Sequence, residues 1–352
     1  MSKELSAKAY RPGHFTVFAI TDPKLREVWA ADFKDRITHH LLVSKIEPIW
    51  EKMFIHDSYA CRKDKGAHKA IHKIKKILAN DPDFYYLHVD VRGFFTNIDR
   101  KVLFSLLSKK VKNPDLLYLI KLIVFHDPKS NYIIKGDRKL LFSIPKHKSL
   151  FGVADGKGLP IGNYTSQFFA NVYLNELDQY AKRILKCRHY FRYMDDILIL
   201  EKNREKLASC IKAIDLFLKS KLNLELHTKK TILQRADKGI NFLGFIIRPA
   251  YTLSRKRVVG NLKTKLREIN SNLEKLGRLG NNEELEDSVK KAQGIVNSYW
   301  AHFRHGDCVR LKNKIYTKHF GNLAKYLEPI KPTESHLVLK NDSTVGCRFE
   351  EN

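Results

Sequence analysis

Two adjacent carboxylates lie between two strand-like runs near the middle of the chain. Residues 190–200 read Tyr-Phe-Arg-Tyr-Met-Asp-Asp-Ile-Leu-Ile-Leu, an aromatic and basic run followed by an apolar run, and both suit β-strands. Two ionised carboxylates about 4 Å apart repel by about 4 kcal/mol at an effective dielectric constant of about 20. A tight turn that holds Asp195 and Asp196 therefore needs a compensating cation. The sequence predicts a β-hairpin with a metal site at its turn.

The chain is strongly basic, with 65 Lys and Arg against 38 Asp and Glu, a formal charge of +27 over 352 residues. Solubility alone needs a net charge of only about 2 to 8 in a small domain. A polyanion that neutralises the excess is the simplest explanation, and nucleic acid is the expected partner. An anionic membrane is not expected, because no stretch approaches the roughly 18 uninterrupted apolar residues of a spanning helix.

Cysteine usage and the first residues bear on location. The start, Met-Ser-Lys-Glu-Leu-Ser-Ala-Lys, lacks the apolar core of a secretion signal. No Cys-x-x-Cys pair occurs, which argues against a disulfide framework or a zinc ribbon and suits a reducing cytoplasm. We therefore expect a cytoplasmic protein, either bacterial or encoded by a phage. We interpret the five cysteines as structural or surface thiols: Cys61, Cys187, Cys210, Cys308 and Cys347.

Hydrophobic periodicity divides the chain into helical and extended stretches. Residues 67–78 place apolar side chains on one face and lysines on another, which predicts an amphipathic helix. Residues 86–91 alternate as a strand does, and Asp90 lies inside that strand, where a carboxylate is costly unless paired. Further helices are predicted over residues 100–125, 165–177 and 204–221, with a helix start near Asp32, and further strands over 223–227 and 241–247. Thr165 or Ser166 is the expected cap of the helix at 165–177.

Two other segments complete the organisation. The polar residues 127–157 predict a mobile connector. Residues 251–330 contain sixteen basic and eight acidic residues, and their apolar positions step by three and four. This pattern predicts a cationic bundle of three helices that can bind a phosphate backbone.

Asp90 and Asp195 stand about a hundred residues apart in two strand-like segments, and a sheet can bring them together beside Asp196. Such a carboxylate cluster suits phosphoryl transfer with two metal ions, roughly 3.5 to 4 Å apart. Carboxylate and phosphate oxygens favour Mg²⁺ over zinc. We therefore expect two Mg²⁺ ions as cofactors.

Three blocks together resemble the palm of a reverse transcriptase: Asp90-Val-Arg-Gly-Phe-Phe, Tyr193-Met-Asp-Asp and Phe242-Leu-Gly-Phe. The resemblance implies an α+β right-hand polymerase with helical fingers, an antiparallel-sheet palm and a three-helix thumb. It implies catalysis by Asp90, Asp195 and Asp196, with Asp196 completing the turn. The implied metal ligands are Asp90, Val91 and Asp195, and the implied primer-placing residues are Phe242, Leu243 and Gly244.

The same resemblance implies a set of nucleotide-binding residues. Phe95 stands where these enzymes keep a ring under the sugar of the incoming nucleotide, and a ring there would exclude a 2′-hydroxyl; Phe94 is equally well explained as core. Lys24 and Arg26 resemble the fingers residues that grip the triphosphate, and Arg36 fits the next fingers block. Lys230 resembles the palm lysine that protonates pyrophosphate, although Lys229 beside it leaves the choice open.

Residues 158–167, Gly-Leu-Pro-Ile-Gly-Asn-Tyr-Thr-Ser-Gln, narrow the family. Most reverse transcriptases have Gln before the second glycine of this motif and Ser-Pro at its end. In this chain Ile161 precedes Gly162, and Gln167 follows the serine at the end of the motif. This pattern resembles the reverse transcriptases of diversity-generating retroelements, which copy a template-repeat RNA into cDNA with errors at adenines. An amide at position 161 could hydrogen-bond the nascent pair, whereas an isoleucine offers only contact, so discrimination should weaken.

The resemblance also implies domains and partners. The expected domains are fingers at 1–87, a first palm strand at 88–100, fingers and connector at 101–157, palm at 158–250, thumb at 251–330 and a loose C-terminal tail at 331–352. The expected partners are template RNA, the RNA–DNA hybrid, dNTPs and a small cationic accessory variability protein. Two alternatives stay open: a retron, group II intron-like or phage-defence reverse transcriptase, and a catalytically idle RNA-binding scaffold.

Overall fold

The computed structural model describes residues 2–22, 24–280, 282–329 and 336–340. These residues form two compact units. The first consists of the described parts of Met1–Ala70 and Phe84–Gln234, and the second of the described parts of Ile71–Asp83 and Arg235–Asn352.

The helices are α1 (Ser2–Ser6), α2 (Phe33–Glu51), α3 (Ala67–Asn80), α4 (Phe94–Asn97), α5 (Arg100–Lys110), α6 (Pro114–Phe125), α7 (Arg138–Phe142), α8 (Tyr164–Gln179), α9 (Arg204–Leu222), α10 (Lys256–Leu279), α11 (Asn282–Phe303) and α12 (Val309–His319). The strands are β1 (Phe15–Ile20), β2 (Arg26–Ala31), β3 (Tyr85–Asp90), β4 (Tyr132–Ile134), β5 (His189–Tyr193), β6 (Asp196–Glu201), β7 (Ile232–Arg235), β8 (Ile240–Phe242), β9 (Phe245–Ile247), β10 (Thr252–Ser254), β11 (Leu327–Pro329) and β12 (Leu337–Leu339). Short 3₁₀ turns and a π-helical turn at Tyr180–Ile184 connect some of them.

A four-stranded sheet of order β5-β6-β3-β7 forms the centre of the first unit. β6 pairs antiparallel with both β3 and β5. The Ile-Leu-Ile-Leu run of β6 is buried over its whole length, because helices cover the sheet and α9 packs on β3 and β6. This is the antiparallel, carboxylate-bearing sheet that the sequence predicts.

A second sheet in this unit, of order β2-β1-β4, adds strands to the region that was expected as helical fingers. β1 and β2 form an antiparallel hairpin in which Val17 and Trp29 are buried. The alternating, β-branched Phe-Thr-Val-Phe-Ala-Ile of β1 explains the strand.

The prediction of a mobile connector over residues 127–157 is wrong. β4 lies within it and pairs in parallel with β1, and Leu141, Ile144 and Leu150 enter the same small core as Trp29. These few apolar residues anchor the segment although most of its side chains are polar.

Two smaller expectations need correction in the first unit. α8 begins after Asn163 rather than at a Thr165 or Ser166 cap, and both of those side chains are buried within the helix. The strand expected at 223–227 is only an isolated bridge between Val91 and Leu226.

The second unit contains the three predicted helices α10, α11 and α12, whose apolar faces enclose a core that includes Trp300. The strand expected at 241–247 is instead a hairpin, because Leu243 and Gly244 have φ of 47° and 89° and turn the chain between β8 and β9. Within the expected tail, β12 pairs antiparallel with β11, so that part is ordered; the remainder lies outside the described residues.

The boundaries of the units differ from the expected domains. Residues Ile71–Asp83 were expected in the fingers, yet they belong to the second unit with the described parts of 235–352. The reason is local: on α3, His72 Nε2 lies 3.1 Å from His305 Nδ1, and Lys75 Nζ lies 3.0 Å from an Asp307 carboxylate oxygen. Residues 235–250, expected in the palm, also lie in the second unit.

Four of the five cysteines are free thiols in the described part of the chain, and Cys347 lies outside it. None of the helices described is both long and apolar enough to cross a bilayer.

Candidate active site

The acidic pair lies where the sequence predicts it, at the turn of the β5–β6 hairpin. Tyr193 pairs with Asp196, so Met194 and Asp195 form a two-residue loop. Met194 has φ of 54°, a left-handed conformation that is uncommon for a bulky residue. Strain of this kind persists only where the surroundings impose it, and it clusters at functional sites.

Asp90, at the end of β3, lies directly opposite Asp196 on the neighbouring strand β6. The backbone N–H of Val91 donates to the carbonyl of Asp195 at 3.4 Å, which draws the turn towards the end of β3. The structure therefore brings Asp90, Asp195 and Asp196 to one corner of the sheet.

Asp195 lies in an environment that resists its negative charge. Burial, followed by the neighbouring Asp90 carboxylate, raises the pKa of Asp195 to about 6, and Asp196 adds to the effect. Opposing contributions from a backbone N–H and from Lys230 are smaller. A divalent cation bound between Asp90 and Asp195 would relieve this repulsion.

Lys230 balances part of the charge on Asp90. Its Nζ lies 2.9 Å from Asp90 Oδ2, and the side chain stays about half exposed. The preceding backbone supports this position, since the N–H of His227 donates to the Asp90 carbonyl at 2.8 Å. The sequence left Lys229 and Lys230 open; Lys230 is the one that contacts a predicted catalytic carboxylate.

Asp196 has a different partner. His88 is two residues before Asp90 on β3, so it shares the same face of the sheet, and its Nε2 pairs with Asp196 Oδ1. Asp90 and Asp196 thus each have a basic side-chain partner, Lys230 and His88. Metal binding by Asp90 and Asp195 stays a prediction.

These residues fit a hard divalent cation. Among the residues that the structure describes, no group of three or more His, Cys, Asp or Glu side chains is arranged to hold a metal ion. Mg²⁺ nevertheless suits two carboxylates, because it usually keeps several waters and takes its other oxygens from substrate phosphates. The predicted contribution of Val91 stays a prediction.

A fully buried arginine, Arg192, supports the turn of the β5–β6 hairpin. Arg192 Nε and Nη2 each donate to Asp178 at 2.7 Å, in a bidentate pair. Nη1 donates to Asn171 Oδ1 at 3.0 Å and to the Met194 carbonyl at 3.3 Å, and Nη2 also donates to Ser58 Oγ at 3.1 Å. All five N–H donors of the guanidinium are therefore used. One of them holds the strained residue that precedes Asp195.

A pocket of about 250 Å³ contains several of the predicted nucleotide-binding residues. Arg36, Gly162 and Gln167 line it, together with His39, His40, Asn163 and Tyr164. Arg36 is exposed, and its guanidinium carbon lies 5.5 Å from the Phe33 ring centroid. Burial lowers the pKa of His39 to about 4, so this imidazole is neutral near pH 7 and adds no charge to the pocket.

Phe94 and Phe95 separate clearly by burial. Phe94 is 2% exposed and belongs to the core, whereas Phe95 is half-buried, and their rings meet edge to face at 5.3 Å. The Phe95 carbonyl accepts a hydrogen bond from the N–H of Leu159 at 2.9 Å. Core packing explains Phe94, and the exposed part of Phe95 is available to a substrate.

Lys24 and Arg26 are both exposed, at the start of β2. The strand behind them is held by Glu27, a buried carboxylate that accepts from Trp29 Nε1 at 2.9 Å and from Ser149 Oγ at 2.6 Å. β2 thus presents two cations on a well-anchored support.

The three predicted primer-placing residues lie in the second unit. Phe242 is only 1% exposed and packs in the interior, and Leu243 and Gly244 form the turn of the β8–β9 hairpin. Their role at a primer end stays a prediction.

Three site-supporting residues were missed from sequence: His88, Arg192 and Asp178. Alternation along β3 could have identified His88, since it lies two residues before Asp90. The other two depend on contacts between separate segments and left no local signal.

The chain is similar to several known proteins. The sequence profile of the family described as reverse transcriptase (RNA-dependent DNA polymerase) matches residues 21–247. The group II intron-encoded protein LtrA of Lactococcus lactis subsp. cremoris is 24% identical over 315 residues, which cover 72% of this chain and 49% of LtrA. Protein YkfC of Escherichia coli K12 is 24% identical over 275 residues, which cover 68% of each.

Among solved structures, telomerase from Candida albicans gives a TM-score of 0.48 at 12% identity, covering 90% of this chain and 55% of that one. The chain spans about half the length of LtrA. The family match covers well over half of the chain and includes every predicted site residue from Lys24 to Gly244. The chain belongs to the reverse transcriptase family.

Proposed function

We propose that this protein is an RNA-directed DNA polymerase that adds dNMP to the 3′ end of a primer. The observation that carries the proposal is the meeting of Asp90 and Asp195 at one corner of the β5-β6-β3-β7 sheet, with Lys230 on Asp90. The formal charge of +27 suits binding of an RNA template and an RNA–DNA hybrid.

The chemistry follows from these side chains. Asp90 and Asp195 would hold two Mg²⁺ ions, which when bound activate the 3′-hydroxyl and neutralise charge on the departing pyrophosphate. Lys230, charged and half exposed, is placed to donate a proton to that leaving group. Arg192 and the hairpin keep Asp195 in position and need no movement during the reaction.

Nucleotide selection would come from the first unit. Lys24, Arg26 and Arg36 present positive charge for the triphosphate, and Phe95 presents a ring for the sugar edge. Gln167 and Gly162 line the adjoining pocket.

The finer proposal is that the enzyme makes error-prone cDNA from a template-repeat RNA, for diversification of a target gene by mutagenic retrohoming. The sequence pattern Ile161-Gly-Asn-Tyr-Thr-Ser-Gln supports it. Ile161 is half-buried and brings no side-chain hydrogen bond to a base pair. A small cationic accessory protein would be the partner by resemblance.

Two variants test these proposals. Asp195→Ala should abolish primer extension on RNA with Mg²⁺ and dNTPs, and unchanged extension would end the polymerase proposal. Unchanged extension would instead favour a catalytically idle RNA-binding scaffold. Ile161→Gln should lower misincorporation opposite template adenines in sequenced cDNA. An unchanged error spectrum would contradict the finer proposal while leaving the polymerase intact.

A second candidate is a retron, group II intron-like or phage-defence reverse transcriptase. The similarity to LtrA, a group II intron-encoded protein, favours this candidate. The flanking DNA distinguishes the two: a template repeat and variable repeat that differ only at adenines supports diversification. An adjoining structured non-coding RNA supports a retron.

A further inference from the structure

β2 is an edge strand whose outer side is covered by a loop. In the sheet order β2-β1-β4, one side of β2 pairs with β1, and no strand of the described residues lies beside the other. On that other side, the N–H of Trp29 donates to the Ile161 carbonyl at 2.7 Å. Asn163 covers the next groups along the edge: its Nδ2 donates to the Trp29 carbonyl at 2.9 Å, and its Oδ1 accepts from the Ala31 N–H at 3.1 Å.

Asn163 uses its side chain for this strand and not for its own helix. It occupies the N-cap position of α8, where asparagine commonly accepts a hydrogen bond from the first helical turn. No such bond forms, and the amide is 2% exposed with both ends engaged by β2. The amide side chain of Asn163 is therefore required for its contacts with β2 and not for the start of α8.

Gly162 allows the loop to lie directly on the strand. Its φ is +118°, and a Cβ at this position would come within 2.7 Å of Val28 Cγ1 and 3.2 Å of the Trp29 carbonyl oxygen. Any larger residue would push the loop off β2.

The other end of the loop is fixed to the residue predicted to face the sugar. The Leu159 N–H donates to the Phe95 carbonyl at 2.9 Å, and the Gly158 N–H donates to the Ile98 carbonyl at 2.8 Å. We call residues 159–163 the strap. The strap joins Phe95 at one end to β2, which begins with Arg26, at the other, and Ile161 lies between them.

We propose that Asn163 is a positioning residue that holds Ile161 at a fixed place between Phe95 and Arg26, and so sets nucleotide affinity and tolerance of mispairs. This inference rests on the proposed polymerase function. Without the amide, only the Trp29–Ile161 backbone bond remains on the described edge of β2, and two polar groups of that edge lose their partners. The Ile161 backbone can then shift relative to the triphosphate-binding strand.

Asn163→Ser separates this role from a role in starting α8. Serine is a good N-cap, so the helix start is preserved, but its side chain is too short to bridge Trp29 and Ala31. We expect KM for dNTP on an RNA template to rise about 10- to 100-fold, with kcat changed much less and an altered error frequency. The matched control is Asn175→Ser, because Asn175 is also buried on α8 and its Oδ1 accepts a hydrogen bond from Gln179 Nε2 of the same helix, at 3.2 Å. It should leave KM and errors unchanged.

Wild-type KM and error frequency in Asn163→Ser would overturn the proposal. A binding measurement separates its failure from that of the polymerase function: the rise in Tm that dATP and Mg²⁺ give should be large in wild type and reduced in Asn163→Ser. If wild type fails to extend a primer yet shows this difference, the polymerase function fails and the positioning role stands. Equal Tm shifts in both proteins would overturn the positioning role.

Discussion

Lys230 Nζ lies 2.9 Å from Asp90 Oδ2, while Lys229, one residue earlier, is exposed and forms no ion pair with a predicted catalytic carboxylate in the described part of the chain. The pair offers a matched comparison between two adjacent lysines. One can both balance charge on Asp90 and reach a leaving group, and the other serves as its control.

We expect Lys230→Gln to lower kcat for single-nucleotide addition by about 100-fold or more, because a positioned general acid contributes about 10²- to 10⁴-fold. Lys229→Gln should stay within about twofold of wild type. Pre-steady-state incorporation on an RNA template measures both. A larger loss in Lys229→Gln would reassign the proton donor.

Asp195→Asn should abolish activity and yet stabilise the metal-free protein near neutral pH. The pKa of Asp195 is raised to about 6 in the folded state, against about 3.9 unfolded, so the folded state binds more protons between these values. Stability of the wild type is therefore lost as pH rises through this window, and the asparagine variant escapes that loss.

Thermal unfolding in EDTA checks this prediction. The Tm gain of Asp195→Asn should be largest at pH 8 and should shrink below pH 5, where the wild-type carboxyl is protonated. Asp196→Asn, which loses the His88 pair, should show no gain. A lower Tm for Asp195→Asn at pH 8 would contradict the charge strain at the turn.

Arg192 and Asp178 allow stability and turn placement to be separated. Arg192→Met alone leaves a buried carboxylate without its cation and should cost about 3–5 kcal/mol. Adding Asp178→Leu should recover most of this loss, since an apolar pair can replace a buried ion pair. Primer extension should stay impaired in the double variant, because the donor to the Met194 carbonyl is gone. Recovery of wild-type kcat along with stability would reduce Arg192 to a packing role.

Phe95→Ala should weaken exclusion of ribonucleotides. Removing the ring opens space for a 2′-hydroxyl, so we expect the ratio of kcat/KM for dNTP over NTP to fall at least about tenfold. Phe94→Leu is the control, because Phe94 is core and a volume-conserving change there should cost less than about 1.5 kcal/mol and leave the ratio unchanged. If both ratios stay at the wild-type value, sugar selection lies elsewhere.

Local sequence was sufficient for the central features of the site. The β5–β6 hairpin and the strand that ends at Asp90 follow from alternation and from a short turn, both of which are encoded within about ten residues. Lys230 required the resemblance to a polymerase as well. The Leu243–Gly244 turn was missed because it lies inside an apolar run that reads as one strand.

The contacts that position the site join residues far apart in the chain, so local sequence patterns could not predict them. Asn163 and Ala31 are 132 residues apart, and Arg192 and Ser58 are 134 apart. Asparagine before a helix reads as a cap, and an arginine in a strand reads as a surface charge. Only the tertiary fold shows that one covers a strand edge and the other is fully buried.

The hydrogen bond from Arg192 to residue 194 is accepted by the backbone carbonyl oxygen, which every amino acid possesses. Replacing the Met194 side chain therefore leaves this hydrogen bond intact, provided that the new residue accepts a left-handed backbone. Position 194 is thus a place where the side chain next to the proposed active site can be changed, by natural variation or by design, without displacing the carboxylate that follows it.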